Sequence, residues 1–412
     1  MQHPTNELRV AIDVGSARHR VAVGGGDGRL LDEFDIEHDG PGIADFFARI
    51  GRHEKNQAAT AVRVAMEGYG GYARPLDARV LMRGWQLYNV NNLKLARFKE
   101  IFPAPAKTDA IDARRMLELF ALRDQVPMAK AVLQEVAPVG EAEQRLKALS
   151  RRRKQLVEDR MRLSMRMQAD LQAACPGLLA ITGQADNLWF LNLLSLREDL
   201  TKLKAVRLPT LLATPGIGKS YAAKIRQWQR EAVFAPGADY LGPMVVADAR
   251  QMLRLRSQIM TLEVEIDHWC GQSILAQHIR TIPGFGLICA AELAGEIGAI
   301  ERFAKADSLA VYLGSAPLAN DSGKRSASKV PRQINFRARD ALMIATVHHV
   351  AAVPTSKAYF DKKRAQGKTH QQAVRATARI LAKVLFAMLK HGKPYQMPTQ
   401  PNNTATSAPS ND

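Results

Sequence analysis

Three short apolar runs with a period of two are packed into residues 8–36, and they constrain the fold more than anything else in the chain. LRVAIDV alternates into an apolar run, HRVAVGG follows, and RLLDEFDI comes next. Alternation of this kind puts successive side chains on opposite faces of a sheet. Gly24, Gly25 and Gly26 with Asp27 and Gly28 supply the positive-φ residues of a tight hairpin. An antiparallel meander is therefore expected at the N-terminus. Then the pattern changes to a helix over 42–49, a buried strand over 60–66 (TAVRVAM), a helix over 72–83, a strand over 85–90 (WQLYNV) and a well-patterned helix over 109–122. Strands followed by helix–strand alternation predict a mixed sheet covered by helices.

From residue 136 the texture differs. Residues 141–171 form a long, Arg-rich helical pattern without Gly or Pro, and Arg151, Arg152, Arg153 and Lys154 make one basic block in it. Residues 247–279 repeat the type. Both read as long amphipathic helices that pair with each other or with another subunit, so a homodimer or homotetramer is expected. Residues 280–393 read as mostly helical, and the tail that ends PTQPNNTATSAPSND is polar and expected to be disordered. The parts are thus an α/β domain over 1–130, a helical coiled-coil region over 131–280, a mainly α domain over 281–394 and a tail over 395–412.

One internal repeat stands out. Thr214-Pro215-Gly216-Ile217-Gly218 with Ala222, Ala223 and Ile225 recurs 68 residues later as Ile282-Pro283-Gly284-Phe285-Gly286 with Ala290, Ala291 and Leu293. The pattern is helix, tight turn, helix. Its glycines serve equally for helix packing or for exposing backbone N–H groups to a phosphate. The first copy, ATPGIGKS, imitates a nucleotide-binding P-loop. Ala213 replaces the required first Gly and no buried strand leads into it, so ATP binding is not expected.

Charge narrows the partner. Lys and Arg total 58 against 40 Asp and Glu. The stretch 322–393 alone holds 16 Lys/Arg and two acids, Asp340 and Asp361. A concentration this high attracts a polyanion, with a solvated basic surface as the plain alternative. No run of 18 apolar residues occurs, which argues against a membrane span. MQHPTNELRV has no basic and apolar leader pattern, and the three cysteines, Cys175, Cys270 and Cys289, are too far apart for a disulfide framework. A cytoplasmic, nucleoid-associated protein is expected.

Four acids point to chemistry. Asp13 ends the first strand (AIDVGS), Glu67 ends the fourth (VAMEGYG), and Asp109 and Asp112 open a helix (KTDAIDARR). A spacing of three puts the last two on one helical face. Taken singly, Asp109 reads as a helix cap, Asp112 as a dipole partner and Asp13 as a turn acid. Taken together, converging carboxylates repel unless cations lie between them, and hard oxygen ligands suit Mg²⁺ or Mn²⁺.

These same residues carry a resemblance. AIDVGS, VAMEGYG and KTDAIDARR resemble the RuvC-like, RNase H-fold domain of the DEDD transposases, and specifically the insertion-sequence family one-ten: bridge-RNA-guided recombinases with the related pilin-gene invertases. The run TIPGFGLICAAELAGEIGAIERFAKADSLAVYLGSAP is similar to that family's C-terminal transposase domain, as are RARDALMIATVHHV and the stretch from SKAYFDKK to HGKPY. The resemblance implies that Asp13, Glu67, Asp109 and Asp112 are metal ligands and that Ser322, in NDSGKRS, is a nucleophile that joins covalently to DNA. Ser326 and Ser328 are lesser alternatives. It also implies DNA partners, the element ends and the target, and a guide RNA encoded by the element. The family commonly has a second Ser where Asp321 stands, and a Lys-Arg-Gly-Asn stretch where this chain reads SKVPRQINFRAR. Candidate nucleic-acid contacts are Arg151, Arg152, Arg153, Lys154, Lys324, Arg325, Lys329, Arg332, Arg337 and Arg339. Competing readings are a site-specific DNA invertase, a junction nuclease that uses water alone, and a nucleic-acid-binding protein with a decayed site. The intact acids and Ser-Gly argue against decay.

Overall fold

The computed structural model describes residues 6–68, 71–91, 95–96, 109–125, 132–316, 318–319, 328–329 and 334–397. The chain divides into two compact units, Met1–Pro138 and Val139–Asp412.

The first unit is a six-stranded sheet. Strands β1 (Glu7–Val14), β2 (Arg18–Gly25) and β3 (Leu30–Glu37) form the antiparallel meander. Helix α1 (Gly40–Asn56) leads to β4 (Ala61–Glu67), which lies parallel to β1. Helix α2 (Arg74–Met82) leads to β5 (Gln86–Val90), parallel to β4; then come α3 (Asp109–Gln125) and a short antiparallel β6 (Leu133–Glu135). The strand order is β3-β2-β1-β4-β5-β6. Helix α1 starts two residues before its apolar pattern, because Asp39 caps it by accepting from Gly42 N at 2.7 Å and Pro41 suits its first turn, and it runs on past the pattern to Asn56.

Alternation along the strands builds two faces. Leu8, Val10, Ile12, Val62, Val64 and Met66 pack with Phe46, Ile50, Leu76 and Val80 of α1 and α2. Ala11, Ala22 and Ala65 face the other way and pack with Ala113, Met116 and Phe120 of α3. The small alanines let α3 lie close to the strands.

In the second unit, α4 (Glu141–Ala174) pairs with a later long helix, here numbered after three short ones: α5 (Leu188–Leu194), α6 (Leu208–Ala213) and α7 (Lys219–Glu231). That partner is α8 (Ala238–Gln272). The pairing is antiparallel: Arg153 bonds Glu263 at 2.7 Å, and Arg166, further along α4, bonds Asp248, earlier on α8, at 2.8 Å. Leu156, Leu163, Met167 and Leu171 of α4 meet Met252, Leu255 and Ile259 of α8 in one core, which α5, α6 and α7 close with Phe190, Leu211 and Ile225. At the other end of the pair, Leu146 and Ile266 enter a second core. It is completed by α9 (Ile274–Arg280), α10 (Leu287–Ile297), α11 (Ala306–Tyr312), α12 (Phe336–Ala352) and α14 (His370–His391), with α13 (Pro354–Ala365) between the last two. A two-stranded sheet, β7 (Leu318–Ala319) with β8 (Ser328–Lys329), lies between α11 and α12 in the chain.

The helix expected over 247–279 begins earlier and breaks at Ser273. The Ser273 hydroxyl accepts from Ala276 N at 3.0 Å, capping a new helix, and donates to Glu143 at 2.6 Å. Both copies of the repeat are helix–turn–helix units, α6 to α7 and α9 to α10. Gly216 and Gly284 sit at φ 81° and 86°, and Ile217 N→Thr214 O (3.1 Å) matches Phe285 N→Ile282 O (3.0 Å). Helix α6 precedes the P-loop-like segment where a P-loop needs a strand.

Candidate active site

Two of the four acids end adjacent parallel strands. The last paired rung of β1 and β4 joins Ile12 to Met66, and Asp13 and Glu67 are the next residue on each strand. Ile12 and Met66 face α1 and α2. Period-two alternation therefore turns Asp13 and Glu67 to the opposite face, the one that carries Ala11, Ala65 and α3. Both are partly exposed. Gly68 follows Glu67 at φ 81°, a conformation that turns the chain off the sheet and that a side chain would strain.

On that same face α3 brings in the third acid. Asp112 is 6% exposed, and its neighbour Ala113 is fully buried against the strands. Asp109 is the first residue of the helix. An ion pair fixes this first part of α3 to the sheet edge. Arg114 forks onto Glu33 of β3, with Nη2–Oε2 at 2.6 Å. Glu33 also accepts from Arg20 at 3.3 Å, and Arg20 lies opposite Asp13 in the ladder. The Arg114 guanidinium holds the Glu33 carboxyl below its ordinary range, with Arg20 adding to the effect. Among the described residues no group of three or more His, Cys, Asp or Glu side chains is placed to hold a metal ion.

Of the segment that carries the candidate serines, only the flanks are among the described residues. Ser322 and Ser326, together with Lys324, Arg325 and Arg332, lie outside the described residues, as does the tail from 398. Ser328 and Lys329 form β8 and pair with Ala319 and Leu318. Arg337 is exposed on the first turn of α12, whereas Arg339 forks onto Asp340 at 3.0 and 2.6 Å.

Most of the basic block on α4 turns inward. Arg151 forks onto the buried Glu296 at 2.6 and 2.9 Å, Arg153 meets Glu263 at 2.7 Å, and Lys154 meets Asp340 at 2.9 Å. Arg152 is exposed. Sequence reasoning missed the acids at the centre of this arrangement. The available signal was a pair of glutamates, Glu292 and Glu296, in the otherwise apolar LICAAELAGEI. Burial pushes the Cys175 and Cys270 thiols up to about 11, so both are packing groups with little thiolate character.

A family model of DEDD transposases of the IS110 type, described as a transposase, matches residues 10–176. A second, for the transposase IS116/IS110/IS902 family, matches residues 276–361, and the two matches together span more than half of the chain. An uncharacterized 42 kDa protein of insertion element IS900 from Mycobacterium paratuberculosis is 27% identical over 94% of this chain and 97% of its own length. An uncharacterized 44.8 kDa protein of IS116 from Streptomyces clavuligerus is 27% identical, covering 93% and 95%. An uncharacterized 43.6 kDa protein of IS110 from Streptomyces coelicolor is 28% identical, covering 76% and 78%. The two matches, with relatives that are themselves insertion-element proteins, give the assignment: the chain belongs to the IS110-type DEDD transposases, the IS116/IS110/IS902 family.

Proposed function

We propose that this transposase cuts and rejoins DNA strands with a divalent-metal site formed by Asp13, Glu67, Asp109 and Asp112 and with Ser322 as nucleophile, directed by an RNA from its own element. One observation carries the reading. Two parallel strands end in register with Asp13 and Glu67 on the face where Asp112 is buried. The strand order, an antiparallel β3-β2-β1 continued by parallel β4 and β5, supports an RNase H-like domain.

The donors are carboxylate oxygens with no nitrogen or sulfur among them, which fits Mg²⁺ or Mn²⁺. Such ions, when bound, polarise a phosphodiester and stabilise its entering and leaving oxygens. The protein's own part is positional. Glu33 and Arg114 hold the start of α3, and with it Asp112, against the sheet. Ser322 Oγ attacks phosphorus as its proton departs, and the bond to the leaving deoxyribose oxygen breaks as that oxygen takes a proton. The phosphoserine ester conserves the bond energy, and the reverse displacement by a new strand end restores the serine. Lys324 and Arg325 hold the scissile phosphate. Lys329, Arg332, Arg337 and the exposed Arg152 contribute to nucleic-acid binding.

The test traps wild-type protein on labelled element-end DNA in Mg²⁺ and maps the modified residue by mass spectrometry. The expected products are an adduct at Ser322, none in Ser322→Ala, and no cleavage by Asp13→Ala or Asp112→Ala although both still bind DNA. Cleavage in EDTA overturns the metal site. Undiminished recombination by Ser322→Ala without an adduct favours a nuclease that uses water.

A further inference from the structure

We propose that Asn335 is a positioning residue for strand transfer: with Glu296, Arg151 and Tyr312 it fixes both ends of the segment that carries Ser322. This rests on the reading of Ser322 as the nucleophile.

Glu296 lies on α10 and is 1% exposed. A carboxylate buried this deeply is strongly destabilising unless it is paired and hydrogen-bonded. It has both. Arg151 of α4 donates Nε to one oxygen at 2.6 Å and Nη2 to the other at 2.9 Å, and Asn335 donates Nδ2 to the second oxygen at 2.7 Å. The pairing holds the Glu296 carboxyl below its ordinary range against the opposing effect of burial.

Asn335 does more than meet this acid. Its Nδ2 also donates to the Tyr312 hydroxyl at 2.7 Å, and that hydroxyl donates to the Glu296 backbone carbonyl at 2.7 Å. The backbone N–H of Asn335 donates to the Tyr312 carbonyl at 2.9 Å. Its Oδ1 accepts from Arg337 N and Ala338 N, each at 3.1 Å, and so caps α12. Both amide hydrogens and both lone pairs are thus in use. Tyr312 is the last residue of α11, and Asn335 directly precedes α12. Every residue between them, Ser322 included, belongs to one stretch whose two ends are joined by that backbone bond and by the Tyr312–Asn335 side-chain bond. Both ends are moored to Glu296 and, through Arg151, to the longest helix pair of the unit.

Capping does not explain the choice of Asn. Asp and Ser cap as well, because only an acceptor oxygen is needed. What Asn adds is an N–H₂ aimed back at a buried carboxylate. Asn335→Asp keeps the cap and sets oxygen against oxygen at Glu296. Asn335→Ser keeps the cap and removes the donor without adding charge. Glu296→Gln combined with Asn335→Asp reverses the donor and the acceptor. The new amide on α10 then donates to the new carboxylate before α12 and its oxygen still accepts from Arg151 Nε, while Arg151 Nη2 loses its acceptor; net charge is unchanged.

The experiment measures single-turnover adduct formation at Ser322 on element-end DNA, alongside DNA affinity and melting temperature. The expected result for Asn335→Asp and Asn335→Ser, assayed well below the lowered melting midpoint that unpairing Glu296 causes, is unchanged affinity with adduct formation slowed by about 100-fold, the order reached when a reacting group is displaced by about 1 Å. The reversed pair, which restores the bond across α10 and α12 but not the Arg151 Nη2 bond, recovers part of the rate. Adduct formation at the wild-type rate in both single variants overturns the positioning role while leaving Ser322 in place, as does a rate loss that tracks melting and that the reversed pair leaves uncorrected. A wild-type protein with no adduct at Ser322 overturns the nucleophile reading and this role with it.

Discussion

Replacing Gly284 with alanine tests how the helix–turn–helix repeat is built into the second unit. Gly284 sits at φ +86°, in the region where an L side chain clashes with its own carbonyl. An added Cβ would also lie 2.3 Å from His349 N, 2.6 Å from His348 C and 2.7 Å from His349 Cα. These are backbone atoms inside α12, so no rotamer change relieves the overlap. The turn must back away from α12, and the 2.7 Å bond from His349 Nδ1 to the Pro283 carbonyl is lost. Left-handed strain costs about 1–2 kcal/mol and overpacking about 1–3 kcal/mol. The total, roughly 2–5 kcal/mol, corresponds to a fall in melting temperature of about 5–15 °C for a unit of this size. Two companions calibrate the result. At Gly216 one atom, Trp189 Cβ, lies at 2.8 Å and the next, Trp189 Cα, at 3.6 Å, so the overlap is smaller and Gly216→Ala costs less. Gly286, at φ −68° with nothing within 4 Å of an added Cβ, tolerates alanine to within about 0.5 kcal/mol. Thermal and urea unfolding followed by circular dichroism give the order. Equal stabilities for Gly284→Ala and Gly286→Ala would refute the packing argument.

Two further outcomes follow from charge. Burial, reinforced by Glu296 and Asp340 and opposed by Lys154 and Arg153, pushes the Glu292 carboxyl up to about 7, from an ordinary 4.5. The folded state then keeps a proton that the unfolded chain has released, so stability falls as pH rises from 4.5 through 7. Glu292→Gln should flatten that decline in a melting series, and a variant curve that follows the wild type speaks against it. Affinity for element-end DNA should drop steeply between about 50 and 200 mM salt, because phosphate contacts release counterions; a flat response in a filter-binding series removes the polyanion argument.

What the sequence disclosed was local. The meander was legible because alternation and the Gly-rich hairpin act within a few residues. Asp13 and Glu67 stood out because an acid followed by glycine closes an apolar strand. Strand β6 was not legible: it is three residues long and exists through its pairing with Tyr88, Asn89 and Val90. The early start of α8 was hidden by Pro243, which lies inside the helix, where Pro removes the bond to the residue four before it and crowds that carbonyl, so the pattern reads as a helix that starts after it. The block from Arg151 to Lys154 read as free cations because its acids are remote. Glu296, Glu263 and Asp340 are 145, 110 and 186 positions away from Arg151, Arg153 and Lys154. The Asn335 cap was readable in principle, but its second role depends on Glu296 and Tyr312, which only folding brings to it.

The long helix pair also sets an order of events at the ribosome. Everything that closes the first sheet has been made by residue 138. Helix α4 follows and is complete at Ala174, yet the partner that covers Leu156, Leu163, Met167 and Leu171 ends only at Gln272. At about 5–20 residues per second, the remaining stretch of roughly 100 residues leaves that stripe without its α8 partner for about 5–20 s. A nascent chain therefore presents a finished sheet tethered to an adhesive rod, and a fragment that stops between α4 and α8 retains the rod without its cover.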